Sequence, residues 1–209
     1  MSQVQCFPSG PFETNAYLLT CRETNKGVFI DPAPGSAEAL IDASGGVEVE
    51  AILLTHSHWD HIGDVKKLKG SFDIPVYVHK SDRPNVVKPG SDTLPLMIPI
   101  EGVEPEFELK EGQIISVGHL ELQVIETPGH TPGGVCFYIE KEKILFAGDT
   151  LFKGSIGNLS LPTANRVEMW RSLEKLEKLP PETVVYSGHG PSTTIGDESW
   201  LPRAREIFN

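Results

Sequence analysis

The segment THSHWDHIGD, residues 55–64, concentrates side chains that bind metal ions. It holds three histidines and two aspartates in ten positions, and His56, His58, Asp60 and His61 are groups that a divalent cation prefers. In a chain with 7 histidines among 209 residues, the pattern H-x-H-x-D-H arises by chance only rarely. The segment therefore predicts a metal site.

The elements around this segment decide where its side chains point. Residues AILLT before it are typical of a buried strand, and helical spacing begins only near Ile62. His56 and His58 lie two positions apart in extended backbone and point the same way, whereas Asp60 and His61 follow the bend and point elsewhere. Two pairs that point past one another favour two neighbouring cations over one.

Three further candidate ligands each follow a predicted strand. His130 lies in a Pro/Gly turn after LQVIET, Asp149 ends LFAGD, and His189 ends VYSGH. Because the first motif also lies just past a strand, we expect all of them to converge at one edge of the fold. Asp31 ends VFID on the same side, and it either orients a histidine or caps a turn.

Two histidines are not expected to be ligands. His79 ends the predicted strand IPVYVH, and we interpret it as a core histidine or one that supports the site from behind. His119 lies in a hairpin-like turn, VGHLEL, and is expected to be exposed to solvent.

Short strands are predicted in both halves of the chain, and helices are sparse between them. This pattern indicates an α/β (α+β) protein in which two sheets pack together with helices outside. The 209 residues, 39% of them hydrophobic, suffice for one well-buried domain and are few for two. We therefore predict a single domain over residues 1–209.

Three helices are predicted with particular ends and faces. The first spans residues 36–44 with Ser36 as its cap, and the second is expected to stop at Gly70. The third spans about 166–179. Its inner stripe is predicted to consist of Val167, Trp170, Leu173, Leu176 and Leu179. Residues 84–105 contain five prolines and no clear period, which predicts a long loop or flap.

The composition excludes several classes of partner. A formal net charge of −11 argues against nucleic acid, and the basic residues between 66 and 88 are interpreted as a solvated helix face and loop. No apolar run reaches the length of a membrane span, and no secretion signal is visible at the start. Three distant cysteines without a C-x-x-C pattern predict buried free thiols and a cytoplasmic location.

The motifs THSHWDH, PGHTPG, AGDTLF and GHG together resemble the metallo-β-lactamase superfamily along nearly the whole chain. Within it, the sequence is most similar to the short glyoxalase II-like (hydroxyacylglutathione hydrolase) branch. The resemblance implies a four-layer αββα sandwich with a dinuclear site. It assigns one metal to His56, His58 and His130, the other to Asp60, His61 and His189, and both to Asp149. This full nitrogen and oxygen set argues against antibiotic hydrolysis, because the β-lactamase branches replace one or more of these ligands.

This ligand set is suited to hydrolysis by metal-activated water. A water that bridges two divalent ions loses a proton near neutral pH and can attack a carbonyl, while Asp60 and Asp149 hold it. A thioester fits, because its leaving thiol has a pKa near about 8.5 and departs without a general acid. The predicted function is hydrolysis of S-acyl-glutathione or related small thioesters. The predicted cofactors are two divalent ions, zinc or a mixture with iron or manganese.

Recognition of the substrate is predicted to be weak. Only about twenty residues follow His189, whereas relatives that bind glutathione closely carry a further basic helical region. Shorter relatives often have Gly-Arg-Thr-Asp where this chain has Gly157-Asn158-Leu159-Ser160. The remaining candidates for contact with the substrate are Lys153, Asn158 and the basic residues between 66 and 88, called the lysine-rich stretch below. We therefore expect a high KM and loose selectivity for the thiol half.

Two other reactions remain open within the same fold. A persulfide dioxygenase would use one iron held by His56, His130 and Asp149. A lactonase or another hydrolase of the superfamily would use the same centre on a different bond. A pure binding module would not need seven converging ligands.

Overall fold

The computed structural model describes residues 1–208, and its strands form two six-stranded sheets. The strands of the first sheet, in their order across it, are β1 (Ser2–Ser9), β2 (Thr14–Cys21), β3 (Lys26–Ile30), β4 (Glu48–Leu53), β5 (Val76–His79) and β6 (Phe107–Leu109). The first three strands form an antiparallel meander, and β3 to β6 run parallel. The chain therefore opens as a meander.

The second sheet is mostly antiparallel. Its strands, in chain order and in their order across the sheet, are β7 (Ile114–Val117), β8 (Leu120–Glu126), β9 (Val135–Ile139), β10 (Ile144–Gly148), β11 (Val184–Ser187) and β12 (Thr193–Thr194). Only β10 and β11 pair in parallel. Parallel neighbours end at the same edge of a sheet, which places the residues after β10 and β11 side by side.

Helices connect and cover the two sheets. They are α1 (Ala37–Ala43), α2 (Trp59–Ile62), α3 (Val65–Phe72), α4 (Arg83–Val87), α5 (Arg166–Leu176) and α6 (Ala204–Ile207), with 3₁₀ turns at Glu140–Glu142 and Leu201–Arg203. Within residues 1–208, each helix is too short or too polar to span a membrane.

Three apolar cores separate four layers. Leu40 of α1 and Leu68 of α3 pack on the outer face of the first sheet. A second core, which includes Phe137 and Phe146, fills the space between the sheets. Leu173 of α5 belongs to a third core on the outer face of the second sheet. This order of layers is the αββα sandwich that the resemblance implies.

Strand β2 shows why the middle of its sequence, Ala16–Leu19, is apolar without interruption. Its side chains alternate between the two faces of the sheet. Ala16 and Leu18 enter the core beneath the helices, whereas Tyr17, Leu19 and Cys21 enter the core between the sheets. All eight residues of the strand are buried. A strand in a four-layer fold is covered on both faces and therefore loses the polar alternation of a surface strand.

Helix α1 begins after Ser36 as predicted, but the predicted serine cap and the predicted end of α3 at Gly70 are wrong. The Ser36 side chain makes no capping hydrogen bond, and the backbone N–H of Ala37 instead donates to Asp64 Oδ2 at 2.7 Å. Helix α3 continues through Gly70 to Phe72 and ends where Asp73 adopts a left-handed conformation with φ of 52°. Aspartate tolerates that conformation better than most residues, so it can take the role expected of glycine.

Other predictions need correction as well. Val167 is 58% exposed, so the buried stripe of α5 begins at Met169 instead. The segment 84–105 begins inside helix α4, and only its remainder is a long connection. Cys6 is exposed, although Cys21 and Cys136 are buried and all three are free. The single-domain prediction includes Asn209, which lies outside the described residues, and it stays a prediction.

Candidate metal centre

The first motif lies in the connection between strand β4 and helix α2. Strand β4 ends at Leu53, Thr55 lies in a bend, and α2 begins at Trp59 directly after His58, whose backbone is extended (φ −59°, ψ 145°). Asp60 and His61 therefore lie on a short helix, while His56 and His58 lie on the irregular segment before it. This is the change of direction that the sequence predicts.

The other candidate ligands follow strands at the same edge. Asp149 follows β10 and His189 follows β11, while His130 lies in the connection between β8 and β9. The loops that carry Asp149 and His189 approach each other closely, because a Cβ atom at Gly188 would lie 2.2 Å from Asp149 Oδ1. A Cβ atom at Gly157 would lie 2.8 Å from His130 Nδ1. Glycine at these two positions is therefore what allows the loops to converge.

The structure brings the seven predicted ligands together into one buried cluster, called the ligand cluster below. Its members are His56, His58, Asp60, His61, His130, Asp149 and His189. Within it, ligand atoms of His56, His58 and His130 lie within 4.8 Å of one another and form the first triad. Ligand atoms of Asp60, His61 and His189 satisfy the same limit and form the second triad.

Asp149 lies between the two triads. Its Oδ1 atom is 3.3 Å from His61 Nε2, and its Oδ2 atom is 3.3 Å from His130 Nε2 and 3.5 Å from His189 Nε2. Within the second triad, Asp60 Oδ2 is 3.5 Å from His61 Nε2 and 3.3 Å from His189 Nε2. One carboxylate therefore reaches ligands of both triads, which is the position of a bridging group.

Three of the histidines have their outward nitrogen bonded to an oxygen that can only accept. His61 Nδ1 donates to Asp31 Oδ2 at 3.0 Å, and His130 Nδ1 donates to the carbonyl of Asn158 at 3.1 Å. His189 Nδ1 donates to the carbonyl of Phe12 at 3.0 Å. Because the proton is held on Nδ1, the Nε2 lone pair of each ring points into the cluster and can bind a cation.

The other two histidines are oriented by threonine hydroxyls. Thr55 donates to Asp31 Oδ2 at 2.5 Å, so its oxygen accepts from His56 Nδ1 at 3.1 Å. Thr163 donates to the carbonyl of His130 at 3.1 Å, so its oxygen accepts from His58 Nε2 at 3.1 Å. His58 therefore offers Nδ1 to the first triad, unlike the other four rings.

The cluster fits divalent cations on three counts. The Nε2 atoms of His56, His61 and His130 are buried without a hydrogen-bond partner among residues 1–208. Ligand atoms separated by 3.3–3.5 Å match the edges of a tetrahedron with metal–ligand distances of about 2.0–2.1 Å. Asp60 and Asp149 are also buried together, and buried carboxylates need cationic partners. These His/Asp clusters therefore fit divalent metal ions.

The electrostatics of the two triads differ. Burial lowers the pKa of His58 to about 3, with a further contribution from His130, and burial also lowers the pKa of His56 well below its ordinary value. In the second triad, burial opposes protonation, but Asp149 and Asp60 raise the pKa of His189 to about 9. His56 and His58 are therefore neutral, whereas the second triad lies in the negative field of two carboxylates.

The carboxylates themselves stay ionised. Burial alone would raise the pKa of Asp60, but His61, His189 and the Thr14 hydroxyl lower it to about 2. Burial likewise opposes ionisation of Asp149, yet the neighbouring histidines hold its pKa well below the ordinary value. Both side chains are thus acceptors for a cation or for a hydrogen-bond donor at neutral pH.

The remaining candidates lie around the cluster. Asp31 accepts from the backbone N–H and the hydroxyl of Thr55 and from His61, so it orients a histidine from behind. His79 is buried and contacts Glu126 Oε1 at 3.2 Å, and His119 is exposed beside Glu23. His79 and His119 are outside every metal-binding group found among residues 1–208.

The two weak candidates for substrate contact differ in position. A cavity of about 530 Å³ opens beside the ligand cluster, and Asn158 lines it. Its backbone carbonyl also accepts from His130. Lys153 is exposed and lies outside the lining of this cavity. Both assignments stay predictions.

Several supporting residues carry no signal in the sequence. Asp82 accepts from the backbone N–H of Ser57 at 2.8 Å and from that of Gly133 at 2.6 Å, so it joins the two loops that carry the first triad. Asn85 on α4 donates to the carbonyl of Ser57 at 2.6 Å. Thr163 lies in a Pro/Gly/Ser-rich connection that reveals nothing of its contacts. Only the position of Asp82 after strand β5 could have indicated a role near the site.

Comparison with known proteins gives matches along nearly the whole chain. The family model described as the metallo-beta-lactamase superfamily matches residues 9–189. An uncharacterized protein of Aquifex aeolicus is 39% identical over 99% of both chains. The probable metallo-hydrolase YqgX of Bacillus subtilis is 35% identical over 90% of both chains. A hydroxyacylglutathione hydrolase of Bdellovibrio bacteriovorus is 36% identical, with 85% of this chain and 64% of that protein covered.

Two solved structures are similar in both fold and sequence. BLEG-1 B3 metallo-beta-lactamase has a TM-score of 0.87 and 38% identity, with 99% of this chain and 100% of that chain covered. TTHA1623 in a di-iron-bound form has a TM-score of 0.82 and 39% identity, with 94% of this chain and 97% of that chain covered.

Proposed function

The chain belongs to the metallo-beta-lactamase superfamily, and on that premise we propose that it is a dinuclear metal-dependent hydrolase of S-acyl-glutathione or related small thioesters. The observation that carries this proposal is the ligand cluster. It contains two complete triads, and Asp149 lies within 3.5 Å of ligand atoms in both. A single-metal site would leave one of these triads without a role.

The side chains of the cluster would have different roles in hydrolysis. When bound, two divalent cations would activate a water molecule and polarise the acyl carbonyl. Asp60 and Asp149 present ionised oxygens that can accept hydrogen bonds from the attacking water and orient it. Thr14 donates to Asp60 Oδ2 at 2.8 Å and fixes that carboxylate. A thiol leaving group has a pKa near about 8.5 and departs as thiolate, so no general acid is required.

The identity of the metal belongs to the same proposal. Imidazole and carboxylate ligands suit zinc, iron and manganese alike. We propose two ions per chain, zinc or a mixture with iron or manganese. The related structure of TTHA1623 is described as di-iron-bound, which supports two ions and makes iron a serious alternative to zinc.

The thioester substrate is supported by the named relatives. The hydroxyacylglutathione hydrolases of Bdellovibrio bacteriovorus and Rhodospirillum rubrum are 36% and 34% identical to this chain. The matches cover 64% and 60% of those proteins, so their activity comes to this chain only as a proposal. We also propose a cytoplasmic location, which fits the free cysteines, and no nucleic-acid partner, which fits the net charge of −11.

Metal analysis and turnover of a model thioester test the proposal together. Protein purified without chelator should contain two ions per chain and should hydrolyse S-lactoylglutathione. One ion or fewer, combined with oxygen uptake on glutathione persulfide, would instead establish the mononuclear dioxygenase. The absence of turnover on any thioester would refute the reaction class.

A second candidate function is β-lactam hydrolysis. BLEG-1 is described as a B3 metallo-beta-lactamase, and it aligns with this chain over its whole length at 38% identity. The same metal-loaded protein should therefore be assayed with a chromogenic cephalosporin. A kcat/KM for the cephalosporin above that for the thioesters would replace the first proposal with this one.

A further inference from the structure

The cavity beside the ligand cluster has apolar sides. Apart from cluster residues and Asn158, every side chain that lines it is apolar. Six of these side chains are called the apolar wall below: Phe12, Trp59, Leu94, Met97, Phe152 and Leu161. A concave site with apolar sides and a few polar groups at one end is typical of a small-molecule site.

Part of the apolar wall is unusually exposed. Phe12 is 48% exposed and Met97 is 61% exposed, although both lie next to a buried polar cluster. Large apolar side chains that are exposed together mark a surface that binds something apolar. Phe12 also packs on Trp59, with ring centroids 5.2 Å apart, so these contacts are already formed without a substrate.

Hydrogen bonds connect the apolar wall to the loops that carry the ligand cluster. The Leu94 backbone N–H donates to Asp92 Oδ1 at 3.0 Å, and Asn85 Nδ2 donates to Asp92 Oδ2 at 2.9 Å. The same amide donates to the carbonyl of Ser57, which lies between two ligands of the first triad. The Phe12 carbonyl accepts from His189 in the second triad. Both sides of the wall are therefore fixed to the cluster.

Lysine and arginine are absent from the lining of this cavity as far as residues 1–208 are concerned. Three basic residues of the lysine-rich stretch pair with carboxylates elsewhere, Lys67 with Glu38, Lys69 with Glu106 and Arg83 with Glu104, and the others also lie outside the lining. Glutathione carries two carboxylates and an ammonium group. Apart from the ligand cluster and the cations that it would hold, those charges would lose water against Asn158 and the apolar wall, which offer no countercharge, and this is unfavourable.

We infer that the substrate carries an uncharged apolar group that packs on the apolar wall. This inference rests on the proposed thioester hydrolysis and narrows its substrate class. The preferred substrates are small thioesters in which the acyl half or the thiol half is aliphatic or aromatic. S-Acyl-glutathione conjugates with a polar acyl group are poor members of the same class.

A matrix of four thioesters tests the inference on the metal-loaded protein. The acyl group is lactoyl or phenylacetyl, and the thiol is glutathione or benzyl mercaptan. The highest kcat/KM should belong to a thioester with an apolar half, about tenfold or more above S-lactoylglutathione. If S-lactoylglutathione equals or exceeds the other three, the inference is wrong.

A cation introduced into the wall should change this preference. In Met97→Lys, kcat/KM for the apolar thioesters should fall relative to that for S-lactoylglutathione by about tenfold. Ile114→Lys is the matched control, because Ile114 is 53% exposed on the edge strand β7 and lies outside this cavity. Its substrate ratio should equal that of the wild type. An unchanged ratio in Met97→Lys would contradict the inference.

Binding measured without turnover separates this inference from the proposed reaction. Benzyl methyl sulfide and S-methylglutathione cannot be hydrolysed as thioesters, and calorimetric titration gives their dissociation constants. The apolar sulfide should bind more tightly, with a negative heat-capacity change. Tighter binding of the sulfide without turnover of any thioester refutes the proposed reaction and supports the inference that the apolar wall binds an apolar group. Turnover with tighter binding of S-methylglutathione supports the proposed reaction and refutes that inference.

Discussion

Each histidine of the ligand cluster has one nitrogen committed to a partner outside the cluster. Backbone carbonyls serve His130 and His189, Asp31 serves His61, and two threonine hydroxyls serve the others. These outer partners select the tautomer before any cation binds. An oriented ring loses little freedom on binding, so the outer partners contribute to metal affinity without touching the metal.

Asp149 is the residue whose loss should affect both triads. Replacing it with alanine removes the only carboxylate, within residues 1–208, that lies within 3.5 Å of ligand atoms in both triads. We expect Asp149→Ala to lower kcat/KM by orders of magnitude and to reduce the metal content below two, while the circular dichroism spectrum stays native. The sheets and their cores do not depend on this side chain.

His119→Ala is the control for that variant, because His119 is exposed and pairs only with Glu23 at the surface. It should retain normal turnover and metal content. Near-normal turnover of Asp149→Ala would show that Asp149 is not shared between two ions.

Thr163 offers a second test at the level of one hydroxyl group. In Thr163→Val, His58 loses its acceptor and the carbonyl of His130 loses a donor. Metal affinity should fall by about 10–100-fold, as is typical when an outer partner of a ligand is lost. Thr163→Ser keeps the hydroxyl and should restore affinity in a competition titration with a chromophoric chelator. Equal affinities for the valine and serine variants would show that the hydroxyl has no orienting role.

The ends of elements are where sequence and structure differ most. The two packed sheets with helices outside and the position of the motif between β4 and α2 follow from hydrophobic patterns that many residues share. The convergence of His130, Asp149 and His189 with the motif follows from their common position after strands. These features could be predicted because each depends on a long, repeated pattern.

Features that depend on one tertiary contact could not be predicted. Ser36 has the residue type of a cap, yet Asp64, which is 28 positions away, reaches the helix terminus first. Val167 has the spacing of a buried position but lies exposed in the first turn of α5. The roles of Asp82 and Thr163 depend on loops that meet only in the folded chain.

The capping contact leads to a stability prediction. Asp64→Ala removes the acceptor for the Ala37 N–H and should lower the free energy of unfolding by about 1 kcal/mol. Ser36→Ala should have a smaller effect, since the Ser36 hydroxyl has no hydrogen-bond partner within residues 1–208. Urea unfolding of both variants measures the difference. A larger loss in Ser36→Ala would show that the serine is the cap in solution.

Asp82 joins two connections that would otherwise be independent. Asp82→Asn keeps the shape of the side chain but replaces one carboxylate oxygen with an NH₂ group, so one backbone N–H from Ser57 or Gly133 loses its acceptor. We expect a loss of about 1–3 kcal/mol in stability. Metal affinity should also fall, because the loops of His56 and His130 separate. Asp73→Asn is the control, since Asp73 is exposed and asparagine tolerates its left-handed conformation. Native stability of Asp82→Asn would contradict this role.

At the scale of the whole molecule, the ligand cluster is a concentration of negative charge inside the fold. Asp31, Asp60 and Asp149 are 1%, 6% and 9% exposed, and the chain as a whole has a net charge of −11. Hydrogen bonds satisfy Asp31. Asp60 and Asp149, in contrast, both lie within 3.5 Å of His61 Nε2 and His189 Nε2. The layers on either side are held by apolar cores that are independent of this charge.

Metal removal should therefore destabilise the protein without abolishing its fold. Without cations, the two carboxylates keep their charge, and His61 and His189 take up protons in place of the cations, because the carboxylates raise the pKa of His61 above its ordinary value and that of His189 to about 9. A cation present at a hundredfold excess over its dissociation constant adds about 2.7 kcal/mol per site, which corresponds to roughly 5–10 °C in Tm for a domain of this size. Calorimetry should show a lower Tm after chelation and its recovery when zinc is returned. Asp149→Ala, which weakens both sites, should respond much less to chelator than the wild type. An unchanged Tm after complete metal removal would mean that the buried carboxylates do not depend on cations, and the dinuclear assignment would be wrong.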